Sequence, residues 1–472
     1  MTSRDEFIRD YTKAILDGSA AIFAGAGLSR SSGYVDWKNL LRNIASDINL
    51  DIEKETDLIS VAQYYENEKG RNNINQLIMD AFTSDVEVNE NISILTELPI
   101  STYWTTNYDR LIEEGVSRNN KRPDVKYDSN QLTVTLKDRN AVVYKMHGDV
   151  GNPANAVLTK DDYEMYDTKY CMFRTVLQGD LISKTFLFIG FSFDDPNLNY
   201  VLSKIHVLLG ESQRRHFCFF KNIDEKDPDY EYNKRKQELR IRDLALRYGI
   251  HSVMVDSYDE ITDILREIRS KVYLNNIFIS GSASSYDLPW SDKMASDLAY
   301  EIARKLIEKN YCITSGFGYG IGSSVINGAL DSVYKSKYRH VDEHLILRPF
   351  PQNIVDANER KRLFTKYRTD MISQTGVAIF MFGNKQVGEE IKIADGCWEE
   401  YQIASEKGCM IIPIACTGWA AKAIMDDVKS NIDDYPYLKD DLDILENETD
   451  IEKISNAIVR IIGKNKENFG KI

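Results

Sequence analysis

The sequence predicts an α/β protein made of two Rossmann-like, doubly wound parallel-sheet domains in tandem. Three observations lead to this fold class. At 472 residues the chain is too long for one ordinary core, because domains usually hold about 100–200 residues. In both halves, short apolar segments alternate with helical patterns, which is typical of parallel sheets. Loops of glycine and serine follow several of these segments, at the position where such sheets bind ligands.

In the first half, short apolar segments closed by glycine or polar residues predict buried strands. They lie at residues 20–24, 142–146 and 186–190. Amphipathic patterns at 37–48 and 109–116 predict helices between them. The polar stretch 221–240 predicts a surface excursion that turns into a charged helix.

The second half starts after a helical pattern at 257–272. Strands are predicted about once per 33 residues, which suits βα units, at 277–280, 312–315, 345–347, 377–382 and 410–415. Between the first two, apolar residues recur every four positions and form one helix face; they are Met294, Leu298, Ile302 and Leu306. We therefore predict one domain over 1–273 and a second over 274–472.

Composition and charge exclude several classes of protein. A net charge of −14 and a pI near 5.1 argue against a general nucleic-acid binder, because phosphate contact needs clustered Lys and Arg. The first residues contain no signal-peptide core, and no apolar run approaches the roughly 18 residues of a membrane span. The six cysteines form no C-x-x-C pair. We expect a cytoplasmic protein without a zinc site or a disulfide framework.

The loop in AIFAGAGLSRSSG, residues 21–33, connects the first strand to a helix. Gly25 and Gly27 would leave backbone N–H groups and a helix dipole facing a pyrophosphate. The loop is not a G-x-G-x-x-G fingerprint, however. Taken alone, it is explained equally well by a tight strand-to-helix turn.

Three later segments favour the ligand-binding interpretation. GAGLSRSSGYVDWK (25–38), TTNYD (105–109), KMHGD (145–149) and GFS (190–192) occur in this order. Together, over residues 10–270, they resemble the sirtuin family of NAD-consuming enzymes. The resemblance implies that His147, Asn107 and Asp109 are catalytic. It also implies an NAD+ site made by Gly25, Ala26, Gly27, Ser29, Asp36, Gly190 and Ser192.

The residue types suit cleavage of the bond between nicotinamide and ribose, which passes through an oxocarbenium-like state. Asn107 could orient the carboxamide, the ribose or an attacking water. His147 could act as general base on a ribose hydroxyl or on water. Asp109 could bind the nicotinamide amide or fix the loop. Ser29 and Ser192, with the glycine-loop amides, would hold phosphates and ribose.

The sequence departs from protein-deacylating sirtuins in two respects that concern the second substrate. The Gly-x-Pro-Asp-Phe-Arg-like segment of the family is altered at residues 33–38. Those enzymes usually carry a zinc module with two C-x-x-C pairs, and this chain has none. Water is then favoured over acyl-lysine as the acceptor, so we expect hydrolysis of NAD+ to nicotinamide and ADP-ribose with no metal or cofactor. Two alternatives stay open: an NAD-dependent protein deacylase and a non-catalytic dinucleotide sensor.

The second half carries three further segments: NIFISGSAS (276–284), YCITSGFGYGIGSSVING (311–328) and DGCWEEYQIASEKG (395–408). Over residues 275–465 they resemble the SLOG superfamily of nucleotide-binding, Rossmann-like domains. Hydrolytic members have a Pro-Gly-Gly-x-Gly-Thr-x-x-Glu segment, of which Gly396 and Glu399 or Glu400 remain, so binding is favoured over catalysis. We expect a signal-nucleotide site formed by Gly281, Ser282, Gly316, Gly318, Gly320, Arg368, Lys385 and Glu400.

A sirtuin-like domain followed by a SLOG domain is similar to the NADase effectors of the Thoeris bacterial antiphage defence system. This resemblance implies a partner protein with a TIR domain that makes a cyclic ADP-ribose isomer. The isomer would bind the SLOG domain, release NAD+ hydrolysis and deplete NAD in the infected cell. The resemblance also implies a homo-oligomer, a tetramer or larger, in the bacterial cytoplasm, with neither nucleic acid nor membrane as a partner.

Overall fold

The computed structural model describes residues 2–84, 86–193, 195–337, 339–351 and 354–470, without the side chains of residue 211 and of 465–470. The chain divides into two compact units, Met1–Ile268 and Arg269–Ile472. Each unit is built on its own parallel sheet. None of the helices in the described ranges combines the length and hydropathy that a bilayer crossing requires.

The first unit contains a seven-stranded sheet. Its strands are β1 Ala20–Ala24, β2 Thr102–Thr105, β3 Pro123–Lys126, β4 Ala141–Lys145, β5 Thr185–Ile189, β6 His216–Lys221 and β7 Ile250–Val255. Its helices are α1 Arg4–Leu16, α2 Ala26–Arg30, α3 Trp37–Asp47, α4 Leu58–Lys69, α5 Arg71–Phe82, α6 Glu90–Glu97, α7 Leu111–Arg118, α8 Lys160–Glu164, α9 Tyr166–Lys169, α10 Cys171–Ser183, α11 Pro196–Leu209 and α12 Tyr230–Tyr248. Helix α13, Asp259–Tyr273, contains the division between the units.

The strand order of this sheet is β3-β4-β2-β1-β5-β6-β7, and its strand pairs are parallel. Strands β2, β3 and β4 lie on one side of β1, and the later strands β5, β6 and β7 lie on its other side. Ligands bind at such a switch point, outside the carboxyl ends of the strands. Strands β4, β2, β1 and β5 are consecutive neighbours, so the four loops of the sirtuin-like segments leave the same edge of the sheet side by side.

Strands β1 and β5 are buried along their whole length because helices cover both faces of the sheet. Aromatic side chains fill much of this core. Phe23 of β1 stacks on Phe188 of β5 with ring centroids 5.3 Å apart. Trp104 of β2 stacks on Tyr144 of β4 at 4.3 Å. This packing fixes the strand ends from which the loops project.

The second unit has a parallel sheet of order β10-β9-β8-β11-β14 and a separate antiparallel pair, β12 with β13. Its strands are β8 Asn276–Ser282, β9 Cys312–Ser315, β10 Leu345–Leu347, β11 Val377–Phe382, β12 Asn384–Val387, β13 Glu390–Ile393 and β14 Met410–Ile414. Its helices are α14 Asp292–Glu308, α15 Gly322–Tyr334, α16 Val341–His344, α17 Ala357–Ile372, α18 Asp395–Glu406, α19 Trp419–Ser430, α20 Leu442–Asn447 and α21 Ile451–Gly470.

The predicted α/β fold with two parallel sheets is confirmed. Four predicted strands, β1, β9, β10 and β11, have the predicted bounds, because each is a short apolar run with clear ends. Strands β2, β3, β6, β7 and the β12–β13 pair were not predicted. Strand β2 has only four residues. Polar residues interrupt the apolar pattern of β6 and β7, namely His216, Lys221 and His251.

Candidate active site

The loops after β1 and β2 are joined through a buried serine. Ser29, in α2, donates a hydrogen bond from Oγ to Oδ2 of Asp109 at 2.7 Å. Oγ of Ser29 in turn accepts a hydrogen bond from Nδ2 of Asn107 at 2.9 Å. Nδ2 of Asn107 also donates to the carbonyl of Gly25 at 3.1 Å. Both amide protons of Asn107 are therefore used within the protein, and its Oδ1 is the atom left to accept a bond from a ligand or a water.

Asp109 is buried, and both of its carboxylate oxygens are occupied by protein donors. Oδ2 accepts from Ser29, and Oδ1 accepts from the amide of Leu111, 3.0 Å away, at the start of α7. Of the two roles that the sequence left open for Asp109, this geometry is that of fixing the loop. The carboxylate fixes Ser29, and Ser29 in turn fixes the side chain of Asn107.

The backbone amides of the glycine loop, which were expected to face a pyrophosphate, donate hydrogen bonds within the protein. The amide of Gly25 donates to the carbonyl of Ile189, and the amide of Gly27 donates to the carbonyl of Gly190, both at 2.9 Å. These two amides do not face an open pyrophosphate site, because they tie the loop to the end of β5. Ala26 lies between them as the first residue of α2. The glycines serve close packing of two loops.

Gly190 has the tightest surroundings in this contact, so its replacement by alanine is expected to destabilise the loops. Its φ is +64°, and a Cβ atom there would lie 2.2 Å from the amide nitrogen of Leu28. We expect a loss of about 1–3 kcal/mol in the free energy of unfolding and a matching loss of activity. Gly179→Ala in α10 is the control, because nothing lies within 4 Å and φ is helical; it should be neutral or stabilising. Denaturant unfolding measures both.

His147 follows β4, and only 3% of its surface is exposed. Its Nε2 lies 3.1 Å from Oδ2 of Asp195. The two groups are within ion-pair distance but are not aligned for a hydrogen bond, so this buried Nε2 has no hydrogen-bond partner among the described residues. The ring of Tyr163 meets the imidazole edge-on, with centroids 5.5 Å apart.

The residue beside His147 is Asp195, which is not among the residues predicted from the sequence. It lies at the start of α11, where its Oδ1 accepts from the amide of Leu198 at 2.8 Å, and its Oδ2 accepts from the hydroxyl of Tyr163 at 3.2 Å. Burial alone would raise the pKa of Asp195, but nearby His147 and these donors hold the pKa below its ordinary value. In the sequence, Asp195-Pro196 is an ordinary helix start, which gives no hint of a contact with His147.

A second missed residue is Lys145, the last residue of β4, with 0% exposure. Its Nζ donates to the carbonyls of Tyr108 and Asp109, at 3.1 and 2.5 Å. It also pairs with Glu113 at 3.0 Å and with Asp149 at 2.6 Å. Burial opposes a charged amine, but these two carboxylates raise the pKa of Lys145, so it stays an ammonium. It anchors the backbone directly after Asn107.

Two residues predicted for the NAD+ site, Asp36 and Ser192, lie outside the hydrogen-bonded group around Asn107. Asp36 caps the start of α3, where its Oδ1 accepts from the amide of Asn39 at 2.9 Å. Ser192 is exposed, and its carbonyl accepts a hydrogen bond from Arg240 of α12. Neither side chain shares a hydrogen bond with Asn107 or His147 among the described residues.

A cavity of about 440 Å³ lies at the carboxyl ends of β6 and β7, beside α12. Its lining residues are Asn222, Ile223, Glu225, Tyr230, Lys234, Gln237, Glu238, Ile241, Met254 and Asp256. Arg240, which contacts the carbonyl of Ser192, lies in the same turn of α12 as three of them. The cavity is therefore close to the GFS loop. None of its lining residues is predicted from the sequence to bind a ligand.

In the second unit, the predicted glycine loops pack against each other at the carboxyl ends of β8 and β9. A Cβ atom at Gly318 would lie 1.8 Å from the carbonyl oxygen of Gly281, so only glycine fits there. Gly320 approaches Ala283 in the same way, and Gly316 lies against Phe350. Ser282 donates from Oγ to the carbonyl of Asn384, 3.0 Å away, at the start of β12.

The charged residues predicted for the signal site are each paired with a carboxylate or a hydroxyl. Arg368 of α17 pairs with Glu399 at 2.7 Å, and its Nε lies 3.4 Å from Glu400 without a hydrogen bond. Glu400 is buried and accepts from Oγ of Ser280 at 2.6 Å; burial raises its pKa. Lys385 of β12 is half-exposed and pairs with Asp395 at 2.6 Å. A phosphate would compete with these carboxylates for Arg368 and Lys385.

No three His, Cys, Asp or Glu side chains in the described part of the chain meet in a group that could hold a metal ion.

The two sheets and their loops define the class: a sirtuin-like unit followed by a SLOG unit. A family model for the SIR2-like domain matches residues 101–244, and a model for the Sir2- and TIR-associating SLOG family (STALD) matches residues 260–465. Two curated relatives are named NAD(+) hydrolase ThsA. The protein of Bacillus cereus is 46% identical over 97% of each chain. That of Cytobacillus dafuensis is 43% identical over 98% of this chain and 96% of its own.

The chain belongs to the ThsA NAD(+) hydrolase family. A more distant relative, Defense-associated sirtuin 2 of Bacillus subtilis, is 25% identical over 57% of this chain and 27% of its own length.

Proposed function

We propose that the chain hydrolyses NAD+ to nicotinamide and ADP-ribose in the crevice at the carboxyl ends of β4, β2, β1 and β5. One observation carries the proposal: the loops that hold His147, Asn107, Ser29 and Gly190 leave four neighbouring strands. Asn107 is locked to the glycine loop through Ser29. The ThsA relatives named as NAD(+) hydrolases support the same reaction.

In the proposed reaction, the bond between the nicotinamide nitrogen and ribose C1′ breaks, and nicotinamide takes the bonding electrons. The ribose becomes oxocarbenium-like, a water oxygen bonds to C1′, and His147 accepts a proton from that water. Asn107 offers its free Oδ1 to a water proton, a ribose hydroxyl or the carboxamide. In this reaction, Asn107 positions the reacting groups and His147 is the base.

The cavity beside β6 and β7 is the place that we assign to the adenosine end of NAD+. It lies at the same carboxyl edge of the sheet as the crevice, next to the GFS loop. Its volume of about 440 Å³ suits part of a dinucleotide, since small-molecule sites measure about 300–1,000 Å³. The two halves of NAD+ would then lie along one edge of the sheet.

We further propose that a cyclic ADP-ribose isomer, made by a partner protein with a TIR domain, binds the second unit at the loops after β8, β9 and β11. Arg368 and Lys385 would contact phosphates, and Glu400 would accept from ribose hydroxyls. Such a ligand activates only if it binds the active state more tightly than the resting state. NAD+ depletion in the bacterial cytoplasm, by an assembly of several copies, would follow phage infection.

The signal site is tested by Arg368→Ala. Purified protein is incubated with NAD+, with and without cyclic ADP-ribose isomers, and nicotinamide and ADP-ribose are followed by chromatography. We expect the isomer to activate the unaltered chain, and Arg368→Ala to need at least about tenfold more isomer, which corresponds to 1.4 kcal/mol. Arg304→Ala is a matched control, because Arg304 also pairs with two carboxylates, Glu301 and Glu308, on α14.

The outcomes separate the alternatives. Release of nicotinamide only when an acylated peptide is added would identify a deacylase. Binding of NAD+ without cleavage under any condition would identify a sensor. Activity that responds to no isomer would contradict the signal site and leave the hydrolase.

A further inference from the structure

Asp195 uses its two carboxylate oxygens for different purposes. Oδ1 accepts from the amide of Leu198 and begins helix α11. Oδ2 points to His147 and Tyr163, at 3.1 and 3.2 Å. A helix start needs only the first of these contacts, as Asp36 shows at α3. The second oxygen is therefore placed for the imidazole.

We propose that Asp195 is a positioning residue, which orients His147 so that Nε2 carries its proton toward Asp195 and Nδ1 faces the substrate as the basic nitrogen. This inference rests on the proposed function, in which His147 accepts the proton. Nδ1 of His147 makes no hydrogen bond to any described residue, so it is the nitrogen left for this role. The present misalignment at Nε2 is compatible, because such bonds often tighten only when substrate is bound.

The proton balance is simple. Water gives a proton to Nδ1 of His147 as its oxygen bonds to ribose C1′, and the resulting imidazolium keeps its Nε2 proton facing the Asp195 carboxylate. Asp195 is not protonated in this step; its lowered pKa fits a residue that stays ionised throughout. A carboxylate in this position fixes the tautomer and stabilises the imidazolium.

Three tyrosines and one arginine pack around the pair, with the Arg174 guanidinium 4.9 Å from the centroid of the Tyr166 ring. Tyr163 donates to Asp195, Tyr166 donates to the carbonyl of Met146 at 3.1 Å, and Tyr108 donates to the carbonyl of Val157 at 2.7 Å. Burial raises the pKa of all three hydroxyls, so they are neutral near pH 7. Among the described residues, Asp195 is the carboxylate within ion-pair distance of His147.

The test is Asp195→Asn in the full chain, with hydrolysis of NAD+ by the isomer-activated protein as readout. Asparagine keeps an acceptor oxygen for the Leu198 amide, but it loses the charge and can present an N–H to Nε2, which selects the wrong tautomer. We expect kcat to fall by about ten- to a hundredfold, part of the roughly 10²–10⁴-fold that a positioned base contributes, with KM for NAD+ changed less than about twofold. The acid limb of the rate profile should move to lower pH.

Asp57→Asn is the matched control, because Asp57 begins α4 by accepting from the amide of Ser60 at 3.1 Å and is exposed. It should leave kcat and the pH profile unchanged, and both variants should unfold at the same denaturant concentration as the unaltered chain. A folded Asp195→Asn protein with unaltered kcat and acid limb would overturn the positioning role.

A double mutant separates this inference from the proposed function. If Asp195 acts through His147, the double variant Asp195→Asn with His147→Ala should be no slower than His147→Ala alone. A further tenfold loss in the double variant would overturn the inference while leaving hydrolysis by this site intact. If His147→Ala alone retains full activity, the proposed function fails instead.

Discussion

His147→Ala and Asn107→Ala are each expected to lower the rate of nicotinamide release from NAD+ by about a hundredfold or more, to a residual rate that long incubation still measures. Loss of His147 removes the proton acceptor, which contributes about 10²–10⁴-fold in rate. Loss of Asn107 removes the free Oδ1 and also the bonds from Nδ2 to Ser29 and Gly25 that hold the two loops together. Chromatography of NAD+, nicotinamide and ADP-ribose in the presence of the activating isomer measures the effect.

Matched controls exist for both substitutions. His206 of α11 is a half-buried histidine that contacts Gln213, and Asn119 after α7 bonds to Thr96 and Gly115. His206→Ala and Asn119→Ala should retain activity. Full activity in folded His147→Ala and Asn107→Ala proteins would contradict the site. Loss of activity in the controls as well would point to general instability.

The sequence predicts the sheet positions of the site because local patterns determine them. Short apolar strands closed by glycine or a polar residue were placed well, and the motif loops follow them directly. A strand as short as β2 is stabilised by its neighbours, Ile22↔Tyr103 and Thr105↔Lys145 among the paired residues. Such pairing across distant segments leaves little trace in a single sequence.

The supporting residues of the site could not be predicted for a similar reason. Asp195 contacts a histidine 48 positions earlier in the chain, and its local pattern is fully explained by a helix start. Lysine is almost never fully buried unless it is paired, so Lys145 read alone suggests a surface residue. The amides of Gly25 and Gly27 were expected to face a pyrophosphate, but they donate to carbonyls of β5 and its loop. These carbonyls lie more than 160 positions later in the chain, so the local pattern does not show them.

Lys145→Met is expected to lower both the stability of the first unit and its activity. Methionine can fill the space of the lysine stem, but it leaves the Glu113 and Asp149 carboxylates buried without their ammonium. Removing one partner of a buried ion pair costs about 3–5 kcal/mol. The carbonyls of Tyr108 and Asp109 also lose their donor, so the backbone that carries Asn107 loosens. Denaturant unfolding and NAD+ hydrolysis measure the two effects.

Lys121→Met distinguishes loss of the site from loss of the fold. Lys121 also donates to backbone carbonyls, those of Thr96, Glu97 and Leu98, each at 2.7 Å, at the end of α6. It does not contact the loop of Asn107. We expect Lys121→Met to be destabilised as well, yet to hydrolyse NAD+ at an unchanged rate per folded molecule. If Lys145→Met also kept that rate, Lys145 would support only the fold, and the bonds of Asn107 to Ser29 and to the carbonyl of Gly25 would be enough to hold it in place.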